Sequence, residues 1–125
     1  MPPQLYVNPS CSKCVTALGL LEQRGVDAEV VLYLEEPPAR ADLERLMGLL
    51  GIDDPRAMTR EGEPLYAELG LAGASADELL DAIASHPILL ERPIFVIGDR
   101  AVVARPPERL LDLLDSVPRS GSPGP

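Results

Sequence analysis

Leu5-Tyr6-Val7-Asn8-Pro9-Ser10-Cys11-Ser12-Lys13-Cys14 is the stretch from which the rest of the chain is read. Leu5, Tyr6 and Val7 make a short buried strand, and Asn8-Pro9-Ser10 has the chemistry of a turn. Helical spacing begins directly afterwards. Cys11 and Cys14 are the only cysteines, and their Cys-x-x-Cys stands at the strand-to-helix junction. A helix N-terminus carries partial positive charge and free N–H groups, both of which favour a thiolate over a thiol. The thiolate is the nucleophile, so sulfur chemistry is expected at this end of the chain.

Outward from the cysteines, Val15, Leu18 and Leu21 recur at helical spacing up to Arg24, and Gly25 sits where a helix stops. Ala28 to Leu34, rich in valine and leucine, reads as a second strand, parallel to the first across a right-handed crossover. Glu35-Glu36-Pro37-Pro38 breaks the pattern. A helix follows with Leu43, Leu46, Met47 and Leu50 on one face and Gly51 after it. Asp54-Pro55 starts a short helix, Pro64 opens another ending at Gly70, and Ser75-Ala76-Asp77-Glu78 has capping-box spacing before Leu79, Leu80 and Ile83. Ile94-Phe95-Val96-Ile97 returns to strand, Gly98-Asp99 turns the chain, and Ala101-Val102-Val103 pairs back. Pro106-Pro107 opens a last helix containing Leu110, Leu111, Leu113 and Leu114. The fold class expected is α/β on a mixed sheet. It is a thioredoxin-like β-α-β and β-β-α, with a helical insertion at about residues 39–90. One domain is expected over residues 1–117, with a disordered tail of Pro, Gly, Ser and Arg at 118–125.

Composition narrows the partners. The chain has 125 residues, 46% of them hydrophobic, and a formal net charge of −9. That field disfavours nucleic acid and anionic membrane surfaces, and no apolar run is long enough to span a bilayer. Met1-Pro2-Pro3-Gln4 lacks the basic and apolar regions of a signal peptide, so a cytoplasmic location is expected, where thiols stay reduced. Lys13 is the only lysine, and the other basic residues are arginines. Compositional bias accounts for that. An arginine can nevertheless grip a tetrahedral oxyanion through parallel N–H bonds, so the positions matter.

Several separated runs agree in order with one known family. They are Tyr6-Val7-Asn8-Pro9-Ser10-Cys11, Leu32-Tyr33-Leu34-Glu35-Glu36-Pro37-Pro38, Glu63-Pro64-Leu65-Tyr66-Ala67-Glu68-Leu69-Gly70-Leu71, His86-Pro87-Ile88-Leu89-Leu90-Glu91-Arg92-Pro93-Ile94 and Arg105-Pro106. Over Leu5 to Asp115 the chain resembles the glutaredoxin-linked arsenate reductases, which are related to the Spx-type regulators. The resemblance implies a thioredoxin-like fold, with Cys11 as the catalytic cysteine. It implies Arg60, Arg92 and Arg105 as anion-binding arginines, and Pro93 as the proline often held cis opposite the cysteine. Two positions depart from the family: Val7 stands where a histidine is often found, and Val15 where a basic residue is. Both departures remove positive charge near the cysteine, leaving the helix N-terminus, Lys13 and the arginines to stabilise the thiolate. Cys14 is a further departure, since the enteric type lacks it.

The expected chemistry is attack of Cys11 on As(V), a thiol-arsenate adduct, and release of arsenite after a second thiol attacks. Cys14 is read either as that resolving thiol, with Cys11 and Cys14 as the catalytic pair, or as a buried small hydrophobe. Taken one at a time, Arg60, Arg92 and Arg105 read as surface charges or ion pairs; together with Cys11 and the matching runs they read as an oxyanion pocket. Arg40, Arg45 and Arg56 are read as helix-surface charges. Asn8 is expected to hold the cysteine loop as an Asx turn. His86, the only histidine, is read as terminal to a helix, and two cysteines with one histidine cannot complete a zinc site. No bound cofactor is expected. Glutathione or another small thiol is the reductant, glutaredoxin or thioredoxin the protein partner, arsenate the substrate, and the monomer the working form. The alternatives are an Spx-like redox regulator that binds RNA polymerase and a general thiol-disulfide oxidoreductase.

Overall fold

Residues along the strands alternate between two faces of one sheet, and each face has its own core. This is seen in a computed structural model that describes residues 2–116. The sequence expectations for residues 117–125, including the tail, lie outside the described residues. Strands β1 (Gln4–Val7), β2 (Glu29–Leu32), β3 (Ile94–Ile97) and β4 (Arg100–Val103) form a sheet of order β2-β1-β3-β4. β1 and β2 are parallel, with Val7 opposite Leu32; β1–β3 and β3–β4 are antiparallel. Leu5, Val7 and Phe95 face one way, onto Cys14, Ala17 and Leu21 of helix α1 (Ser12–Gln23) and Leu110 of helix α5 (Arg109–Ser116). Tyr6, Ile94 and Val96 face the other way, under helices α2 (Arg40–Leu50), α3 (Pro64–Glu68) and α4 (Ala76–Ser85). Each of these large side chains contributes about 1.5–3 kcal/mol by leaving water. This is the thioredoxin-like α/β plan expected from the sequence.

Local chemistry sets the boundaries. α1 stops in a Schellman motif: Gly25 at φ +68°, Gly25 N–H to the Glu22 carbonyl at 3.0 Å and Val26 N–H to the Leu21 carbonyl at 2.9 Å. β2 is shorter than the expected Ala28–Leu34. The N–H groups of Glu35 and Glu36 both bond the Leu32 carbonyl, at 3.0 and 2.8 Å, which turns the chain at Tyr33 before Pro37-Pro38. α5 begins at Arg109, not Pro106. Arg109 N–H bonds the Pro106 carbonyl and Leu110 N–H the Pro107 carbonyl, so the two prolines make a turn that leads into the helix.

The arginines read as surface charges divide. Arg45 is exposed. Arg40 instead ties α2 to α4 through the carboxylates of Asp77 and Asp81, the latter at 2.7 Å. Arg56 lies in the 3-10 turn Pro55–Met58, which Asp54 caps. Its Nη2 donates to the carbonyls of Leu71 (2.8 Å) and Ala72 (3.1 Å), so it works as a clamp on the loop before α4. The expectation failed here because a sequence does not show which carbonyls a long side chain can reach.

Ser75 and Glu78 close the expected capping box on α4: Glu78 N–H donates to Ser75 Oγ at 3.1 Å, and Ser75 N–H to Glu78 Oε1 at 2.9 Å. Ser75→Ala is expected to lower stability by about 1 kcal/mol. Urea denaturation checks this, and an unchanged midpoint would contradict it.

Candidate active site

The loop between β1 and α1 is tied at both ends. Ser10 N–H donates to Asn8 Oδ1 at 3.0 Å, an Asx turn, and Cys11 N–H donates to the Asn8 carbonyl at 2.9 Å. These bonds make Cys11 the N-cap of α1, a helix with no acidic residue in its first turn to offset the positive end of its dipole. Asn8 N–H reaches Cys14 Sγ at 3.4 Å. Both cysteines are free thiols, Cys11 partly exposed and Cys14 buried.

The two sulfurs differ in acidity. Partial burial opposes ionisation of Cys11. It is outweighed by the backbone N–H groups of Cys14 and Lys13, the Cys14 thiol and the charge of Arg92, which together hold Cys11 below the ordinary thiol range. Burial pushes Cys14 up to about 11, against the pull of the Asn8 N–H, and the charge of Cys11 adds to the rise. Position on the helix explains the difference. An N-cap residue stands at the positive end of the helix, whereas a side chain three residues on turns into the core beside Leu5, Val7 and Ala17.

A ladder of short bonds gathers the arginine segments. Thr59 bridges Leu90, Arg60 N–H bonds the Leu89 carbonyl at 2.7 Å, and Glu91 N–H bonds the Met58 carbonyl at 2.8 Å. Arg92 precedes the buried Pro93, and Arg105 precedes Pro106; both peptide bonds are cis. Ala104 N–H bonds the Pro93 carbonyl at 2.9 Å, and Arg105 Nη1 donates to the Arg92 carbonyl at 3.0 Å. Arg92 acts electrostatically on Cys11 and Cys14, and both Arg92 and Arg60 act on Tyr33. The backbone N–H of Lys13 contributes to lowering the Cys11 pKa, although Cys11 Sγ makes no cap hydrogen bond, and the Lys13 side chain is exposed.

Three further residues belong to this neighbourhood and were not singled out from sequence. Glu63 pairs with Arg60 at 3.3 Å, Glu91 pairs with Arg92 at 3.5 Å, and Tyr33 is wholly buried. Each carboxylate offsets the charge of the arginine it pairs with. Glu63, three residues after Arg60, had the spacing of a pair, while Tyr33 was absorbed into the expected strand. His86 caps the C-terminus of α4 and is exposed. Among the described residues no cluster of three or more His, Cys, Asp or Glu could hold a metal ion. Nor, among them, is any helix long and apolar enough to cross a membrane.

Comparison with known proteins extends this geometry. The model of the ArsC family matches residues 6–113. The chain is 47% identical over 109 residues to an arsenate reductase of Neisseria meningitidis (serogroup A, strain Z2491), covering 86% of this chain and 93% of that one. It is 44% identical over 113 residues to the uncharacterized protein YfgD of Escherichia coli (strain K12), covering 89% and 95%. Among solved structures, an arsenate reductase from Vibrio cholerae superposes with a TM-score of 0.86 at 45% identity, covering 90% and 97% of the two chains.

Proposed function

The chain belongs to the ArsC family, and from that premise we propose that it is an arsenate reductase in which Cys11 is the nucleophile and Arg60, Arg92 and Arg105 bind the oxyanion. The observation that carries the proposal is a cysteine with lowered pKa at a helix N-cap, acted on by an arginine whose segment is laced to two others. The guanidinium groups hold arsenate and offset the charge that builds as the thiolate approaches arsenic. Cys11 Sγ attacks As(V), an As–S bond forms, and one arsenate oxygen leaves with protons as water. A second thiolate attacks Cys11 Sγ. An S–S bond forms, the As–S bond breaks, and its electron pair stays on arsenic, which leaves as arsenite. Two thiol sulfurs are oxidised and As(V) is reduced to As(III), so the electrons balance. A dithiol partner of the glutaredoxin or thioredoxin class then reduces the disulfide by exchange. Such a cycle suits the reducing cytoplasm.

The acidities of the free enzyme favour an external second thiol. Burial pushes the Cys14 thiol up to about 11, so it is held protonated at neutral pH in the free enzyme. A small external thiol such as glutathione is therefore the better second nucleophile, and Cys14 serves chiefly to pack the loop through the Asn8 N–H. Cys14→Ala is expected to keep at least about half of the turnover with glutathione and glutaredoxin. Mass spectrometry of the trapped enzyme is expected to show a glutathione adduct on Cys11. Loss of turnover in a folded Cys14→Ala protein would restore the internal disulfide.

The reaction is tested with purified protein, arsenate, glutathione and either glutaredoxin or thioredoxin, with arsenite as the readout. No arsenite above background with any reductant would remove arsenate reduction and return the regulator and general oxidoreductase readings.

A further inference from the structure

Tyr33 follows Leu32, the last residue of β2 and the partner of Val7 in β1, so it lies at the sheet end that carries the cysteine loop. The turn closed on the Leu32 carbonyl takes its ring out of the strand and into the core beneath the helical block. The side chain is 0% exposed, yet its hydroxyl has no hydrogen-bond partner among the described residues. Phenylalanine would fill the same space without an unmatched polar group, so the hydroxyl needs an explanation that packing does not supply.

A second buried atom in the same condition is Nε of Arg92. The charges that act on the Tyr33 hydroxyl, largest first, are those of Arg92, Cys14, Arg60 and Cys11, so the two orphaned atoms share one neighbourhood. Burial pushes the phenol up to about 12, and it remains a protonated donor at neutral pH. Arg92 Nε–H is also a donor. The carboxylates that pair with these arginines meet other atoms, Glu91 meeting Arg92 Nη1 and Glu63 meeting Arg60 Nη1. Two buried donors lacking an acceptor, where the charges of Arg92, Arg60 and Cys11 are felt, match the acceptor oxygens of a tetrahedral anion.

We propose that Tyr33 is a further binding residue of the oxyanion site, its hydroxyl and Arg92 Nε–H each donating to an oxygen of bound arsenate. The proposal rests on the reading of Arg60, Arg92 and Arg105 as that site. Tyr33 adds a neutral, water-excluded donor where the arginines add charge. It recognises an oxygen by direction, not by field.

The test is Tyr33→Phe, read by calorimetric titration of the full chain with arsenate and by the arsenate-induced rise in Tm. The free variant is expected to melt at the same temperature as the parent or higher. Its affinity for arsenate is expected to fall about tenfold, as for loss of a hydrogen bond to a charged group. Its arsenate-induced rise in Tm shrinks accordingly. Parent-like affinity in Tyr33→Phe overturns the proposal and leaves the arginine site standing. A lower free Tm with an intact arsenate-induced rise also overturns it, because that is the signature of a purely structural tyrosine. Failure of the parent protein to bind arsenate at all overturns the oxyanion site and this inference together.

Discussion

Cys11→Ser is expected to reduce arsenite formation to background, a loss of roughly 10³-fold or more, while leaving the fold and arsenate binding in place. A serine hydroxyl at the same N-cap keeps the loop, since the bonds that shape it run through the Asn8 side chain and carbonyl and the Cys11 N–H. What is lost is the anion. The N–H groups of Cys14 and Lys13 and the charge of Arg92 stabilise a thiolate here, but a serine hydroxyl starts far too high in pKa for the same help to ionise it. The sign of the pH effect follows. The Cys11 pKa is lowered, so thiolate accumulates as pH rises through that lowered value. Alkylation of Cys11 by iodoacetamide is expected to climb with pH and level off below the pH at which an ordinary thiol does. Single-turnover arsenite release is expected to rise over the same window. An alkylation midpoint at or above that of free cysteine would contradict the role given to the helix N-terminus. Measurable turnover by Cys11→Ser would displace Cys11 as nucleophile.

The cysteine loop was legible in the sequence because its cues are local. Asn8-Pro9-Ser10 fixes a turn, Val7 ends a strand and Ser12 starts a helix, and those few residues put Cys11 at an N-cap whatever the rest of the chain does. The same holds for the Ser75 capping box and for the stops at Gly25 and Gly51. The difference in acidity between Cys11 and Cys14 was not legible. It depends on which face of α1 meets Leu5 and Val7, a tertiary fact. The sequence places Tyr33 in a strand, and the structure differs for the opposite reason. Its β propensity fits a strand, and the turn that withdraws it is made by the N–H groups of Glu35 and Glu36, which carry no strong residue-type signal. Arg60, Arg92 and Arg105 stand up to 45 positions apart, and only the bonds among Met58, Leu89, Arg92 and Pro93 show how they are laced together.

Arg92 is where the second large effect is expected, because it serves the site in four ways. Its charge helps hold down the Cys11 pKa, its Nε is a buried donor with no partner among the described residues, its Nη1 engages Glu91, and its backbone carbonyl anchors Arg105. Alanine removes the first three and spares the fourth, while lysine keeps the charge, so any loss reports the guanidinium and not a displaced Arg105. Arg92→Lys keeps a charge but loses the fork and the Nε donor. It is expected to lower kcat/KM for arsenate by about 10²-fold, comparable to removal of one preorganised oxyanion donor. Arg92→Ala is expected to lose more, and to raise the pH midpoint of Cys11 alkylation, because a charge that favours the thiolate has gone. The two variants separate binding geometry from electrostatic activation. In lysine the alkylation midpoint stays near that of the parent while kcat/KM falls; in alanine both change. An Arg92→Ala enzyme with parent-like kcat/KM would take Arg92 out of the oxyanion site. A parent-like alkylation midpoint in that variant would leave Cys11 activated by the helix N-terminus alone.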